Sequence, residues 1–263
     1  MAFEVFFPFV YEWLDRKIHA KVQRRVGPPL LQPIYDFMKL FQKEVLVPHG
    51  NRLVFAIAPF IIFTNSILAM FVSLTRIRYA VLFLLVLFLF DISVKTFLAY
   101  SVKGPFSIQG MTRLAGLKMA LDPAYPLSIL APAFIFGFDM NWPLAAAVFL
   151  PLAIITTMAE LEITPFDVTT AEMEIASGWK AELSGIFLAC VNYAHYAKAV
   201  AASALLANML GPGWFLTKTF GIFIFMSLMS SILPRLSIQK LVKYLTILNI
   251  VAMVEVVVSL NWY

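Results

Sequence analysis

The chain has 263 residues, of which 61% are hydrophobic and only 13% charged, against roughly 45–50% and about 25% in an average soluble domain. A water-soluble globule cannot cover itself with so little polar surface, and the mean hydropathy of +0.85 places nearly the whole chain in a membrane. The single cysteine, Cys190, excludes a disulfide framework, and it excludes a cluster or thiolate zinc site held by this chain alone.

The first 14 residues, Met1 to Leu14, read as a short first span. As a helix they rise only about 21 Å, so a partner chain is expected to shield them. Residues 15–29 form a basic segment. Residues 30–47 place Ile34, Phe37, Met38, Phe41 and Val45 on one helical face, with Gln32, Asp36, Lys39 and Lys43 opposite; this pattern predicts an amphipathic helix lying along the interface. Leu53 to Thr75 and Met140 to Ala159 are charge-free runs of spanning length, and Tyr79 to Val102 and Pro123 to Phe138 complete the spans within 53–159. Residues 160–182 are an acidic connection. Leu183 to Leu210, Phe215 to Leu233 and Ile238 to Leu260 are the last three spans, in 183–263. The expected fold is a single all-α polytopic membrane domain over 1–263, with about eight transmembrane helices and one interfacial helix.

The basic residues fall on one side. With the N-terminus outside, the inside connections hold fifteen Lys and Arg, among them Arg16, Arg24, Arg25, Lys118 and Arg235, and the outside connections hold Arg76, Arg78 and Lys218. This asymmetry sets the expected orientation and accounts for the net charge of +5 without nucleic acid. Histidines 19, 49 and 195 lack metal-ligand spacing, and the eleven glycines form no phosphate or dinucleotide fingerprint; any redox cofactor is expected in a partner.

One inside connection is acidic: Glu160, Glu162, Asp167, Glu172, Glu174 and Glu182 stand against the single Lys180. Six carboxylates this close, folded into the membrane interior, cannot all ionise independently, which is what a proton relay requires. The alternative is a solvated acidic loop that meets a basic partner. Ionisable groups also stand at membrane depth, Asp91 with Lys95 at i, i+4, His195 with Lys198 at i, i+3, and Glu255 alone. Each is costly in hydrocarbon and should face the protein interior. For Asp91 and Lys95 a structural ion pair competes with a transport role; His195 is a candidate proton relay.

The stretch LDRKIHAKVQRRVGPPLLQPIYDFMKLFQKE, Leu14 to Glu44, resembles the first signature of the complex I subunit 1 family. AELEITPFDVTTAEMEIASGW from Ala159 resembles the second, and ILPRLSIQKLVKY, Ile232 to Tyr244, the third. The family comprises membrane subunits of NADH–quinone oxidoreductases and of energy-converting [NiFe]-hydrogenases. The resemblance implies a helical bundle with a surface helix after its first span, and a non-catalytic subunit in the cell membrane with basic and acidic connections on the cytoplasmic side. It implies that Arg24, Arg25, Gly27, Pro28, Gln32, Pro33, Asp36 and Lys39 face the peripheral arm. It further implies that the acidic connection, with Pro165, Phe166 and Gly178, leads from the redox site toward antiporter-like membrane subunits. Iron–sulfur clusters, and a [NiFe] centre in a hydrogenase-large-subunit-like partner, would then carry the electrons.

Two departures stand out. Gly27-Pro28-Pro29 runs almost directly into Leu31-Gln32-Pro33, without the insert usual in quinone-reducing members, which is similar to the hydrogenase-type branch. An arginine usual before Thr-Pro-Phe-Asp is replaced, leaving the acidic cluster less neutralised. A quinone-site subunit and a stand-alone secondary transporter are the alternatives; the latter calls for inverted halves, and the acidic connection has no counterpart in the first half.

Overall fold

The computed structural model describes residues 4–47, 51–75, 79–102, 104–121, 123–136, 143–167, 178–211 and 213–261. Among these are ten α-helices and no β-strand: α1 (Phe7–Val22), α2 (Gln32–Phe41), α3 (Arg52–Thr75), α4 (Ala80–Val102), α5 (Pro105–Leu121), α6 (Ala124–Phe136), α7 (Pro143–Glu160), α8 (Gly185–Met209), α9 (Phe215–Ile232) and α10 (Ile238–Asn261). Of the described helices, α3, α4, α9 and α10 are long and apolar enough to cross a bilayer by length and composition.

The bundle is organised around α8. From Ala197 to Met209 every residue of this helix is buried, the mark of a helix with neighbours on all sides. Its alanines and Ser203 let α1, α3, α7 and α9 approach closely. A second group, α5, α6, α7 and α10, packs together beside it.

α1 continues past the expected end of the first span at Leu14. Three polar residues of its second half find partners: the Ser227 hydroxyl on α9 donates to Asp15 at 2.6 Å, His19 Nε2 lies 3.2 Å from Ser230 Oγ, and Arg16 contacts Glu12. The N-terminal half is held by rings and hydroxyls, with Tyr11 bonded to Ser203 at 2.9 Å and the Tyr193 hydroxyl donating to the Val5 carbonyl at 2.8 Å.

The interfacial helix is shorter than the predicted 30–47 and occupies only Gln32–Phe41. Phe37 packs its ring on Phe9 at 5.4 Å, whereas Met38, Phe41 and Val45 of the predicted stripe are exposed. Residues beyond the helix cross the start of α8: the Leu46 amide donates to Ser184 Oγ at 2.8 Å. Gly185 sits there at φ +55°, and a Cβ on it would come within 2.8 Å of the Lys43 carbonyl oxygen, so only glycine fits this crossing.

The inside connection that holds Lys118 in the sequence reading is folded here into a packed helix, α5. Ser107, Gly110, Met111, Leu114, Leu117, Lys118 and Leu121 form its buried face, a three-and-four spacing that marks one side of a helix. Lys118, counted above as an inside-connection lysine, is therefore an interior residue at 3% exposure.

Candidate functional site

Six ionisable side chains, from four helices and the turn that follows α7, form one continuous chain of alternating sign. Glu162 accepts from Lys95 at 3.5 Å, and Lys95 pairs with Asp91 at 2.9 Å. Asp91 Oδ2 also receives Lys198 at 3.0 Å, and Lys198 bridges to Glu160 Oε1 at 2.9 Å. Glu160 Oε2 ends on Lys118 at 2.7 Å, whose ammonium also donates to the Glu160 carbonyl at 2.6 Å. All six side chains are 10% exposed or less. Isolated charges at this depth would be prohibitive, and pairing every acid with a lysine makes the burial tolerable.

Local geometry explains how the acids reach the lysines. Asp91 and Lys95 share a face of α4 one turn apart. Glu160 is the last residue of α7. Two residues later Glu162 adopts φ 56°, the left-handed conformation usually given to glycine after a helix. A side chain there costs about 1–2 kcal/mol, and what the strain keeps is a carboxylate facing Lys95.

Two cavities flank the Glu162 end. The first, about 150 Å³, is lined by Asp91, Lys95, Glu162, Trp179, His195 and Lys198; by volume it has room for about five waters. The second, about 170 Å³, is lined by Asp15, His19, Glu162, Asp167, His195 and Tyr196. Glu162, Asp167 and His195 border both. Asp91 Oδ1 and the Trp179 indole nitrogen are buried without a hydrogen-bond partner in the protein, and both belong to residues that line the first cavity. Lys180 also lines this cavity. Burial pushes its ammonium below the ordinary lysine value; Glu162 draws it back and Lys95 depresses it further.

The structure brings together Asp91, Lys95, Glu160, Glu162 and Lys198 in the chain, and places Asp167 and His195 at the cavities. Glu182 is not part of the cluster; it is exposed and rests against Gly104. Glu172 and Glu174 lie outside the described residues. The pairing expected of Asp91 with Lys95 is present but incomplete, because Lys198 and Glu162 extend it. The expected shortage of positive charge is made up by Lys95, Lys118 and Lys198, and by Arg235, which meets Asp167 at 3.0 Å.

Along the expected arm-facing segment, Arg24, Arg25 and Lys39 are exposed. Arg24 takes φ 56°, turning the chain after α1. Gly27 lies under Lys17, where a Cβ would meet the lysine Cδ at 2.7 Å. The Pro28 carbonyl accepts the Trp13 indole N–H at 3.2 Å, and Pro33 is buried. Asp36 binds Gln32 at 3.0 Å and Arg16 at 2.6 Å, tying α2 to α1.

Sequence reasoning missed Lys118, Asp15, His19, Ser227, Ser230 and Arg235. The periodic buried face of α5 was a usable signal for the first. The others depend on which helix lies beside α1 and on the course of the chain after α9, which no local pattern encodes.

The family model described as NADH dehydrogenase matches residues 1–260. A relative from Dehalococcoides mccartyi, named as a subunit of NADH-quinone oxidoreductase, is 29% identical over an alignment covering 89% of this chain and 76% of the relative. The "NADH-ubiquinone oxidoreductase chain 1" of Artemia franciscana is 30% identical, with 77% of this chain and 76% of that protein covered. Among solved structures, a chain of the membrane-bound sulfane sulfur reductase, described as an archaeal respiratory membrane complex, superposes with a TM-score of 0.84 at 22% identity. That match covers 97% of this chain and 96% of the other.

Proposed function

We infer the role of this chain from one premise: it belongs to the NADH dehydrogenase family, the complex I subunit 1 lineage. It is a membrane subunit of a complex I-related respiratory complex. Beyond that, our reading is a non-catalytic subunit that anchors a peripheral electron-transfer arm and couples its redox chemistry to proton or sodium movement. The exposed basic segment around Arg24, Arg25 and Lys39 is the docking face for cluster-bearing and hydrogenase-large-subunit-like partners, and antiporter-like subunits take up the ion movement. The complex is of the membrane-bound hydrogenase or hydrogenase-derived reductase type. The direct passage from Gly27-Pro28-Pro29 to Leu31-Gln32-Pro33 supports that branch.

The observation that carries the reading is the alternating chain from Glu162 to Lys118. Each internal lysine is shared between two carboxylates, so neutralising one acid lets its lysine move wholly to the other. A charge change at the cavity end is thereby passed inward through a sequence of exchanged ion pairs. The cavities bring water to Glu162, Asp167 and His195, where a proton enters or leaves in response to electron transfer in the arm. Asp91, Glu160 and Glu162 are the chain acids of this path. Glu172, Glu174 and Glu182 belong to the same acidic connection.

The test is to replace Glu160 with Gln in the assembled complex in vesicles, and to measure electron turnover with the gradient dissipated alongside ion uptake per electron. Turnover should persist while uptake collapses. Unchanged uptake would remove the chain from the path. The names of the relatives favour a second reading, a quinone-site subunit; inhibition of turnover by quinone-site ligands that compete at the two cavities would select it.

A further inference from the structure

The segment from Ile232 to Tyr244 supplies no member of the charge chain, yet its turn reaches the acidic connection directly. α9 ends at Ile232, and Leu233 is extended at φ −79° and ψ 135°, the conformation that a following proline favours. Pro234 follows, so the chain leaves the helix here, and α10 begins only at Ile238. Two consecutive residues of this turn hold the connection. The Leu236 amide donates to the Pro165 carbonyl at 3.1 Å, and the Arg235 guanidinium meets the Asp167 carboxylate at 3.0 Å. The Leu236 side chain packs against the main core, which fixes the turn from within. Lys240 and Lys243, the other basic residues of this segment, are exposed; among the described residues Arg235 alone of the three forms an ion pair.

The segment so held carries Glu162, the cavity end of the charge chain. After α7 it is wound into short turns: the Glu162 amide donates to the Ala159 carbonyl at 3.2 Å, the Ile163 amide to the Met158 carbonyl at 3.0 Å, and the Phe166 amide to the Ile163 carbonyl at 2.9 Å. Leu161 and Phe166 are buried in the core. Between these anchors Glu162 sits at φ 56°, a conformation that persists only where the surroundings over-determine it. α7 constrains it from one side. On the other side stand Pro165 and Asp167, the latter at the rim of both cavities, and both are tied to the α9–α10 turn. One tie is backbone and the other charged, and they leave the turn from neighbouring residues, so they act as one clamp. An ion pair this open contributes little to global stability, since the Arg235 side chain is 45% exposed; its effect is to place the connection, not to hold the bundle together.

We propose that Arg235 is a positioning residue of the site: with Leu236 it clamps the acidic connection at Asp167 and Pro165, and so keeps Glu162 within reach of Lys95. It acts through the segment between Glu162 and Asp167, not by contact with the charge chain. The effect of the clamp on ion movement rests on the coupling role given above; the clamp itself does not.

The experiment compares Arg235→Gln, Arg235→Lys and Lys240→Gln with the unchanged sequence, in the intact complex in vesicles, and reads two quantities. The first is hydrogen–deuterium exchange at the Leu236 and Phe166 amides. Arg235→Gln should speed both several-fold, and Arg235→Lys, which keeps the charge, should restore most of the protection. Lys240→Gln removes a neighbouring exposed charge and should change neither. Unchanged exchange in Arg235→Gln, or an equal rise in Lys240→Gln, would overturn the clamp. The second quantity is ion uptake per electron with the complex at steady electron turnover. It should fall several-fold in Arg235→Gln and recover in Arg235→Lys. A purely structural role would lower assembled complex and turnover together and leave the ratio unchanged, and that result would overturn the positioning role. Glu160→Gln separates the two failures. If it lowers the ratio and Arg235→Gln does not, the coupling reading stands and Arg235 has no part in it; if neither lowers the ratio, the coupling reading falls and amide exchange still decides the clamp.

Discussion

Lys198 holds two carboxylates at once, Asp91 at 3.0 Å and Glu160 at 2.9 Å, from a position where it is 4% exposed. Lys198→Met would leave those acids facing each other without their shared cation, and removing one partner of a buried pair costs about 3–5 kcal/mol. The expected outcome is a markedly lower thermal midpoint of the purified complex in detergent. The double variant Lys198→Met with Glu160→Gln should recover part of that loss, because the two sites are in contact and their effects do not add. An unchanged midpoint in the single variant would mean that the acids are not charged together. At this scale the sequence was legible for residue type and depth: Asp91, Lys95 and Lys198 stood out because charges are costly in hydrocarbon. Partnership was not legible. Lys198 shares a helix with His195, yet its partners come from α4 and α7, and only the packing of α8 on α7, with α3 between α8 and α4, decides this.

At the scale of elements, α2 and the crossing behind it show how a surface helix is held. Burial alone would raise the Asp36 carboxyl, but hydrogen bonds from Arg16 and Gln32 outweigh it and hold its pKa below the ordinary carboxylate value. A folded-state pKa that is depressed contributes stability at pH above the unfolded carboxylate value, about 3.9, and that contribution is lost as the pH falls through the folded value. The α1–α2 separation, followed by paired spin labels, should therefore stay constant through neutral and mildly acid pH and open only below the ordinary carboxylate range. Asp36→Asn should abolish that transition. Gly185→Ala tests the adjoining crossing: an αL position costs a non-glycine residue about 1–2 kcal/mol, and the added Cβ also meets the Lys43 carbonyl, so the thermal midpoint should drop. Ala at a helical glycine with open space, such as Gly116, should not lower it. The extent of α2 was misjudged because an apolar stripe continues to Val45 while the backbone turns at Gln42 to reach α8; a hydrophobic pattern reports which face is apolar, not where the helix stops. α5 was missed for the converse reason, since its buried face includes Ser107, Gly110 and Lys118, which dilute the apolar signal without breaking its period.

For the whole molecule, the expected orientation places the N-terminal basic segment and the acidic connection on the same side, the one the arm approaches. Cys190 is buried, so it is a quiet background for introduced thiols. Arg25→Cys should react with an impermeant maleimide only from the cytoplasmic face and Trp214→Cys, at an exposed position before α9, only from the opposite face; the reverse pattern would invert the topology. The overall class was readable from composition because an apolar excess has to face something other than water, and α9 and α10 were readable as membrane-crossing helices from their length and apolar content. The division of the bundle around α8 was not, because an alanine-rich helix with a lysine and a histidine does not advertise that it is the centre.

The chain of six charges holds three carboxylates and three lysines, so it is neutral when every pair is formed. One added proton leaves it with a single surplus positive charge in a poorly screened interior. A second proton then meets the repulsion of the first, and it is refused until the first has moved on. Under the coupling role proposed above, the cluster's neutrality therefore bears on stoichiometry as well as on route: the passage would admit one proton at a time.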